Sequence, residues 1–170
     1  MWKEFGLRFL LVLMLGWSRS ARSQMQHGNG ALPQQSSQIV FVCEHGAALS
    51  VVSAAYFNKI AKEENLNLHA IARGVEPQKD LSVSARAGLN SDGIPFETRR
   101  PQRLSMNAAE HARRIITFWP LPAKYSKLAP VDAWSDVPPT ADNYGLARDA
   151  IVKHLKELIS QLKSESQMRR

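Results

Sequence analysis

The sequence contains one cysteine, Cys43, among its 170 residues, so the chain cannot form an internal disulfide. Cys43 is therefore a free thiol, a partner for another chain or a small buried side chain. Together with His45 and His111 it matches no recognised spacing of metal ligands. We predict neither a metal nor a cofactor.

A run of basic residues interleaved with aromatic ones is also missing, although lysine and arginine outnumber aspartate and glutamate by 22 to 15. Part of the excess lies in the first 23 residues, so the rest of the chain is only mildly basic. That balance suits an anionic substrate and argues against nucleic acid. The short cluster of Arg99, Arg100 and Arg103, beside Pro101, is interpreted as a solvated loop.

The apolar stretch at residues 9–17 is too short to span a bilayer. It follows the charged Lys3 and Arg8, and Ala21 and Ser23 then supply the small residues that a signal peptidase recognises. We predict a signal peptide over residues 1–23, a flexible lead-in over residues 24–37 and an exported, periplasmic or secreted, protein. An uncleaved signal is the alternative and would be its membrane attachment.

Short β-rich segments alternate with helical ones along the rest of the chain. The patterns predict strands at residues 38–42, 68–73, 114–119 and 130–134, and helices at residues 50–64, 82–89, 106–112 and 142–163. Such alternation is typical of an α/β fold. We expect one domain over residues 38–165, with three layers, a doubly wound four-stranded parallel sheet and helices on both faces.

Cys43 lies where the first strand ends and a Gly-containing turn leads into a helix. In parallel sheets, ligands bind at the carboxyl ends of the strands, where the strand order reverses. The amides and positive dipole of a helix N-terminus there favour an anion and a thiolate. The position of Cys43 therefore favours its interpretation as a nucleophile for a phosphate-like substrate over its interpretation as a small buried side chain. Ser50 is both a possible hydrogen-bond donor to that thiolate and a candidate helix N-cap.

The order of strand, Cys43, five residues, one further position, Ser50 and helix resembles the low-molecular-weight protein tyrosine phosphatases and the related arsenate reductases. The resemblance extends over roughly residues 38–162. It implies a phosphocysteine intermediate on Cys43 and a loop whose amides hold the phosphate oxygens. The substrate-binding residues would be Glu44, His45, Gly46, Ala47, Ala48 and the residue at position 49.

The sequence departs from this pattern at Leu49, which stands where the resemblance implies a phosphate-binding arginine. Leucine cannot neutralise charge that develops on a phosphoryl group. Arg73, at the end of the second predicted strand, is the candidate replacement, and His45 could carry a proton-dependent charge. The alternative for Arg73 is an ordinary surface arginine, and the alternative for His45 is a solvent-exposed loop histidine.

The Asp-Pro pair that supplies the general acid in the family is also missing. Asp136 is the candidate for this role, with Asp132 behind it, and an aspartate that only begins a turn is the alternative.

The leading functional hypothesis is hydrolysis of phosphate monoesters, phosphotyrosine among them, through Cys43, with a phosphorylated substrate or oxyanion as the partner. The alternatives are a catalytically silent anion- or partner-binding module, a redox-sensing thiol, and an arsenate reductase-like protein that borrows an outside thiol. A disulfide relay within the chain is excluded, because it needs further cysteines.

Overall fold

The computed structural model describes residues 36–168. The predicted signal peptide and all but the last two residues of the lead-in lie outside the described residues and stay predictions. The elements, in order, are β1 (Gln38–Cys43), α1 (Leu49–Glu63), β2 (His69–Gly74), α2 (Val83–Ser91), α3 (Met106–Glu110), β3 (Ala112–Thr117), α4 (Ala123–Ser126), β4 (Val131–Ala133) and α5 (Tyr144–Gln167). Among these helices none is both long and apolar enough to cross a membrane.

The four strands form one parallel sheet in the order β2-β1-β3-β4. The chain leaves β1 to form β2 on one side and returns to form β3 on the other. The strand order therefore reverses at β1, and Cys43 lies at the carboxyl end of that strand. This is the place where parallel sheets bind their ligands.

Strand β1 is buried on both faces, as its continuous apolar sequence requires. Ile39 and Phe41 pack in one apolar cluster with α1, α2 and α5, whereas Val40 and Val42 pack in a second cluster with residues of α3 and α4. All four side chains have no exposed surface. The molecule thus has three layers, and the predicted α/β class, with helices on both faces of a parallel sheet, is confirmed.

The third strand begins two residues earlier than predicted and ends at Thr117, not at residue 119. The Thr117 hydroxyl accepts a hydrogen bond from the Trp119 amide at 3.2 Å, which turns the chain out of the sheet. At its start, Ala112 pairs with Gln38 and Arg114 pairs with Ile39, so Arg113 is an extra, bulged residue. Helix α4, a single turn, is not predicted by the sequence pattern.

Candidate functional site

The thiol of Cys43 and the hydroxyl of Ser50 are in direct contact, with Sγ and Oγ 3.1 Å apart. Cys43 is 8% exposed and Ser50 is fully buried. Helix α1 begins at Leu49, and its N-cap residue is Ala48, which makes no side-chain hydrogen bond. The interpretation of Ser50 as an N-cap is therefore wrong, because its hydroxyl lies inside the first turn and faces the thiol.

The loop between β1 and α1 is held by hydrogen bonds to its carbonyl groups. The carbonyls of Cys43, Glu44, His45 and Ala47 accept from the amides of Val75, Glu76, Gln78 and Ser82, at 3.1, 2.8, 3.3 and 2.9 Å. Every bond comes from the segment that follows β2. The conformation of the loop therefore depends on a part of the chain about thirty residues away.

These bonds also fix the direction of the loop amides, because the C=O and the next N–H of a trans peptide point in opposite directions. The N–H groups of Glu44, His45, Gly46 and Ala48 therefore point away from residues 75–82. Within residues 36–168, none of them donates to an acceptor. Unpaired amides beside a thiol, at the start of a 15-residue helix, are suited to hold the oxygens of an anion.

Gly46 and Gly74 allow the loop to lie directly against the end of β2. A Cβ atom on Gly46 would lie 2.7 Å from the Gly74 nitrogen, and one on Gly74 would lie 2.7 Å from the Gly46 nitrogen. Gly46 also has a φ of +64°, a backbone conformation that glycine adopts without strain. Glycine is required at both positions for the observed contact.

Leu49 is half-buried and packs against the apolar cluster beneath α1. Residue 49 therefore brings no positive charge to the loop. Within the loop, His45 places Nδ1 3.2 Å from the Glu76 carbonyl oxygen and Nε2 3.5 Å from the Glu44 carboxylate. Half of the His45 side chain is exposed, so the imidazole lies on the rim of the loop.

Arg73 does not extend toward Cys43. Its Nη1 donates to the Ala72 carbonyl at 2.7 Å, and the residue lines a cavity whose described walls include Gly46 but not Cys43. Burial lowers the pKa of the Arg73 guanidinium, and repulsion from Arg99 lowers it further. That Arg73 replaces the positive charge missing at position 49 stays a prediction, and the observed place of the Arg73 side chain does not favour it.

Asp136 is bound to His154, with Nε2 2.9 Å from both carboxylate oxygens. The His154 ring stacks on Trp134 at a centroid distance of 4.7 Å. The hydrogen bond from His154 lowers the pKa of the Asp136 carboxyl, which weighs against a role as proton donor. Asp132 accepts from Arg114 at 2.9 Å. The role of general acid remains a prediction for both carboxylates.

A line of hydroxyl groups, which the sequence does not predict as part of the site, lies next to the loop. Ser82 Oγ lies 2.9 Å from Ser84 Oγ, which donates to Thr140 Oγ1 at 3.2 Å. The Ser82 amide binds the Ala47 carbonyl, and Thr140 is 3% exposed. These contacts connect the loop to the segment after β4. Ser82 is also the N-cap of α2, where its side chain accepts a hydrogen bond from the Ala85 amide. The local sequence indicates only this capping role.

No group of three or more His, Cys, Asp or Glu residues in the described part of the chain could hold a metal ion. The sequence matches no protein-family profile and no curated protein.

Solved structures do match the fold. YfkJ from Bacillus subtilis has a TM-score of 0.66 at 16% identity, and the match covers 78% of this chain and 98% of that one. A low-molecular-weight protein tyrosine phosphatase from Streptococcus pyogenes has 0.62 at 11%, covering 79% and 98%. An arsenate reductase in the phosphate-binding state has 0.62 at 14%, covering 74% and 98%. The chain thus has the fold of these phosphatases and reductases, as the resemblance implied.

Proposed function

We propose that the loop from Cys43 to Ser50 binds a tetrahedral oxyanion and that Cys43 hydrolyses phosphate monoesters slowly. The observation that carries this proposal is the set of loop amides that have no acceptor within residues 36–168, next to a thiol in contact with Ser50. One of the proteins that share the fold is a tyrosine phosphatase, and another is an arsenate reductase in a phosphate-binding state. An oxyanion is the ligand that these two descriptions have in common.

In the proposed reaction the Cys43 thiolate attacks phosphorus, the bond from phosphorus to the ester oxygen breaks, and the departing alcohol takes up a proton. Water then cleaves the bond between sulphur and phosphorus, releasing inorganic phosphate and the thiolate. The loop amides hold the three equatorial oxygens during both steps. The Ser50 hydroxyl donates a hydrogen bond to the thiolate and so stabilises the form that attacks.

Slow turnover follows from Leu49. A charge clamp that acts on the transition state is worth about 10²–10³ in rate, and a half-buried leucine supplies none of it. The lowered pKa of Asp136 also leaves the departing oxygen without an obvious proton donor. These two observations favour a second candidate function, an oxyanion-binding module without turnover.

Hydrolysis of p-nitrophenyl phosphate by the reduced full-length protein would separate the two functions. The experiment compares the natural protein with Cys43→Ser, Leu49→Arg and the double variant. We expect slow hydrolysis that Cys43→Ser abolishes and that Leu49→Arg raises about 10²-fold, because the guanidinium restores the missing charge. The gain should be absent from the double variant.

An inactive natural protein whose loop amides still shift in an NMR titration with inorganic phosphate would establish the binding module instead. Activity that survives Cys43→Ser would refute the cysteine mechanism. If inorganic phosphate leaves the amides of residues 44–48 unchanged, the loop is not an oxyanion site.

A further inference from the structure

The cavity that Arg73 lines, of about 540 Å³, lies over the outer edge of β2. Its walls are helix α1, the edge strand itself and the segment at residues 95–102. Gly46 belongs both to this cavity and to the loop at Cys43, whereas Cys43 is not among the cavity residues. The volume is in the range of sites for small molecules.

The outer edge of β2 has one amide in this cavity that finds no acceptor in the described part of the chain. Ala70 exchanges two hydrogen bonds with the Asn58 side chain, at 2.7 and 3.0 Å. Gly74 is bonded to the segment at residues 102–104 through both its N–H and its C=O. The alternation of a parallel strand turns the Ala72 N–H to the same outer edge. Among residues 36–168 it has no acceptor there, although the Ala72 carbonyl accepts from Arg73.

The same cavity holds more positive than negative charge. Arg73, Arg99 and Arg100 line it, against the single carboxylate of Glu97. Glu97 is paired with Arg99, with Oε2 2.8 Å from Nη2. Arg73 is only partly exposed, and within the described chain its guanidinium binds a backbone carbonyl but no carboxylate. Burial chiefly, and then repulsion from Arg99, lowers the pKa of the Arg73 guanidinium, and an anion bound beside the two groups would relieve that repulsion.

The apolar side chains in the walls include Val51, Leu81 and Phe96. We propose that this cavity is a second anion site, where a carboxylate or phosphate group of a small ligand binds the Ala72 amide and the Arg73 guanidinium. The apolar part of that ligand lies against Leu81 and Phe96. The site does not depend on the chemistry proposed for Cys43, because Arg73 and Ala72 take no part in it.

Backbone NMR of the full-length protein, titrated separately with benzoate and with phenyl phosphate, tests this site. We expect the Ala72 amide signal to shift and saturate with at least one probe, and the probe that shifts it identifies the anion as carboxylate or phosphate. Arg73→Gln should weaken that binding about tenfold or more, since a charge-assisted hydrogen bond is lost. Arg99→Gln, a change at an exposed residue, should weaken it less.

Lys127→Gln removes one positive charge at an exposed residue outside the cavity and is the matched control, which should bind like the natural protein. An Ala72 signal that neither probe shifts, or a shift that Arg73→Gln leaves unchanged, would overturn the proposal. The amides of residues 44–48 report the Cys43 loop in the same spectra. Failure of the cavity and failure of the loop are therefore distinguishable.

Discussion

Gly74→Ala should displace the Cys43 loop. The new Cβ would lie 2.7 Å from the Gly46 nitrogen and 2.8 Å from the His45 carbonyl carbon. Both are backbone atoms, so no side-chain rotation can relieve the overlap. Ordinary contact begins near 3.4 Å, and the loop and the strand must therefore separate by roughly 0.7 Å.

The cost has two parts. Overpacking of this kind typically destabilises a protein by about 1–3 kcal/mol. Each hydrogen bond between the loop and residues 75–82 that breaks on separation adds about 1 kcal/mol. We expect the free energy of unfolding to fall by about 2–4 kcal/mol, measured by urea denaturation, and the amide signals of the loop to shift throughout.

Gly93→Ala is the control for a methyl group that meets no neighbouring atom. Gly93 has a φ of +64°, and nothing lies within 4 Å of its Cβ position. Alanine there should cost about 1–2 kcal/mol of backbone strain and leave the loop signals and phosphate binding unchanged. If Gly74→Ala also left the loop signals unchanged and lost no more stability than the control, the argued contact between loop and strand would be refuted.

Two further predictions concern carboxylates that join the elements. Glu165→Ala should destabilise the protein by about 3 kcal/mol in urea denaturation, because Arg113, 6% exposed, loses its carboxylate; a change below 1 kcal/mol would contradict this. Asp92 accepts from the Tyr56 and Tyr144 hydroxyls at 2.6 and 2.8 Å, and chiefly the bond from Tyr56 lowers its pKa. Because the pKa of Asp92 is lower in the folded than in the unfolded protein, its carboxylate stabilises the fold above about pH 4. This stabilisation is lost as the pH falls further. The free energy of unfolding should therefore differ by about 1–3 kcal/mol between the natural protein and Asp92→Asn at neutral pH, and by less below pH 4. A difference that does not change with pH would show that the charge of Asp92 does not supply the stability.

The local sequence determined the β1–loop–α1 unit. The apolar run at residues 39–42 requires a strand buried on both faces, and Gly46 and the apolar side chains after Ser50 then give a turn and a helix. Cys43 and Ser50 are seven residues apart, so their contact follows from this local geometry. The alternation of strands and helices was sufficient for the fold class, because a parallel sheet needs a crossover for each new strand.

The partners of the loop could not be predicted in the same way. Its carbonyls bind residues 75–82, and Gly74 matters only because Gly46 lies against it, a contact across 28 positions that no local pattern contains. Arg73 illustrates the limit, since its place at the end of β2 suggested a role beside Cys43. Its side chain instead folds back onto the edge of the strand.

The sequence by itself thus determined the elements, their order and the thiol at the carboxyl end of β1, because these depend on periodicity and on the chemistry of neighbouring residues. Only the tertiary structure decided which amides have no acceptor within residues 36–168, that Leu49 packs against the apolar cluster, and that Arg73 and Arg99 line the same cavity. These features depend on side chains from separate elements that approach one another when the sheet and its helices pack. Their distances are not encoded in any single segment.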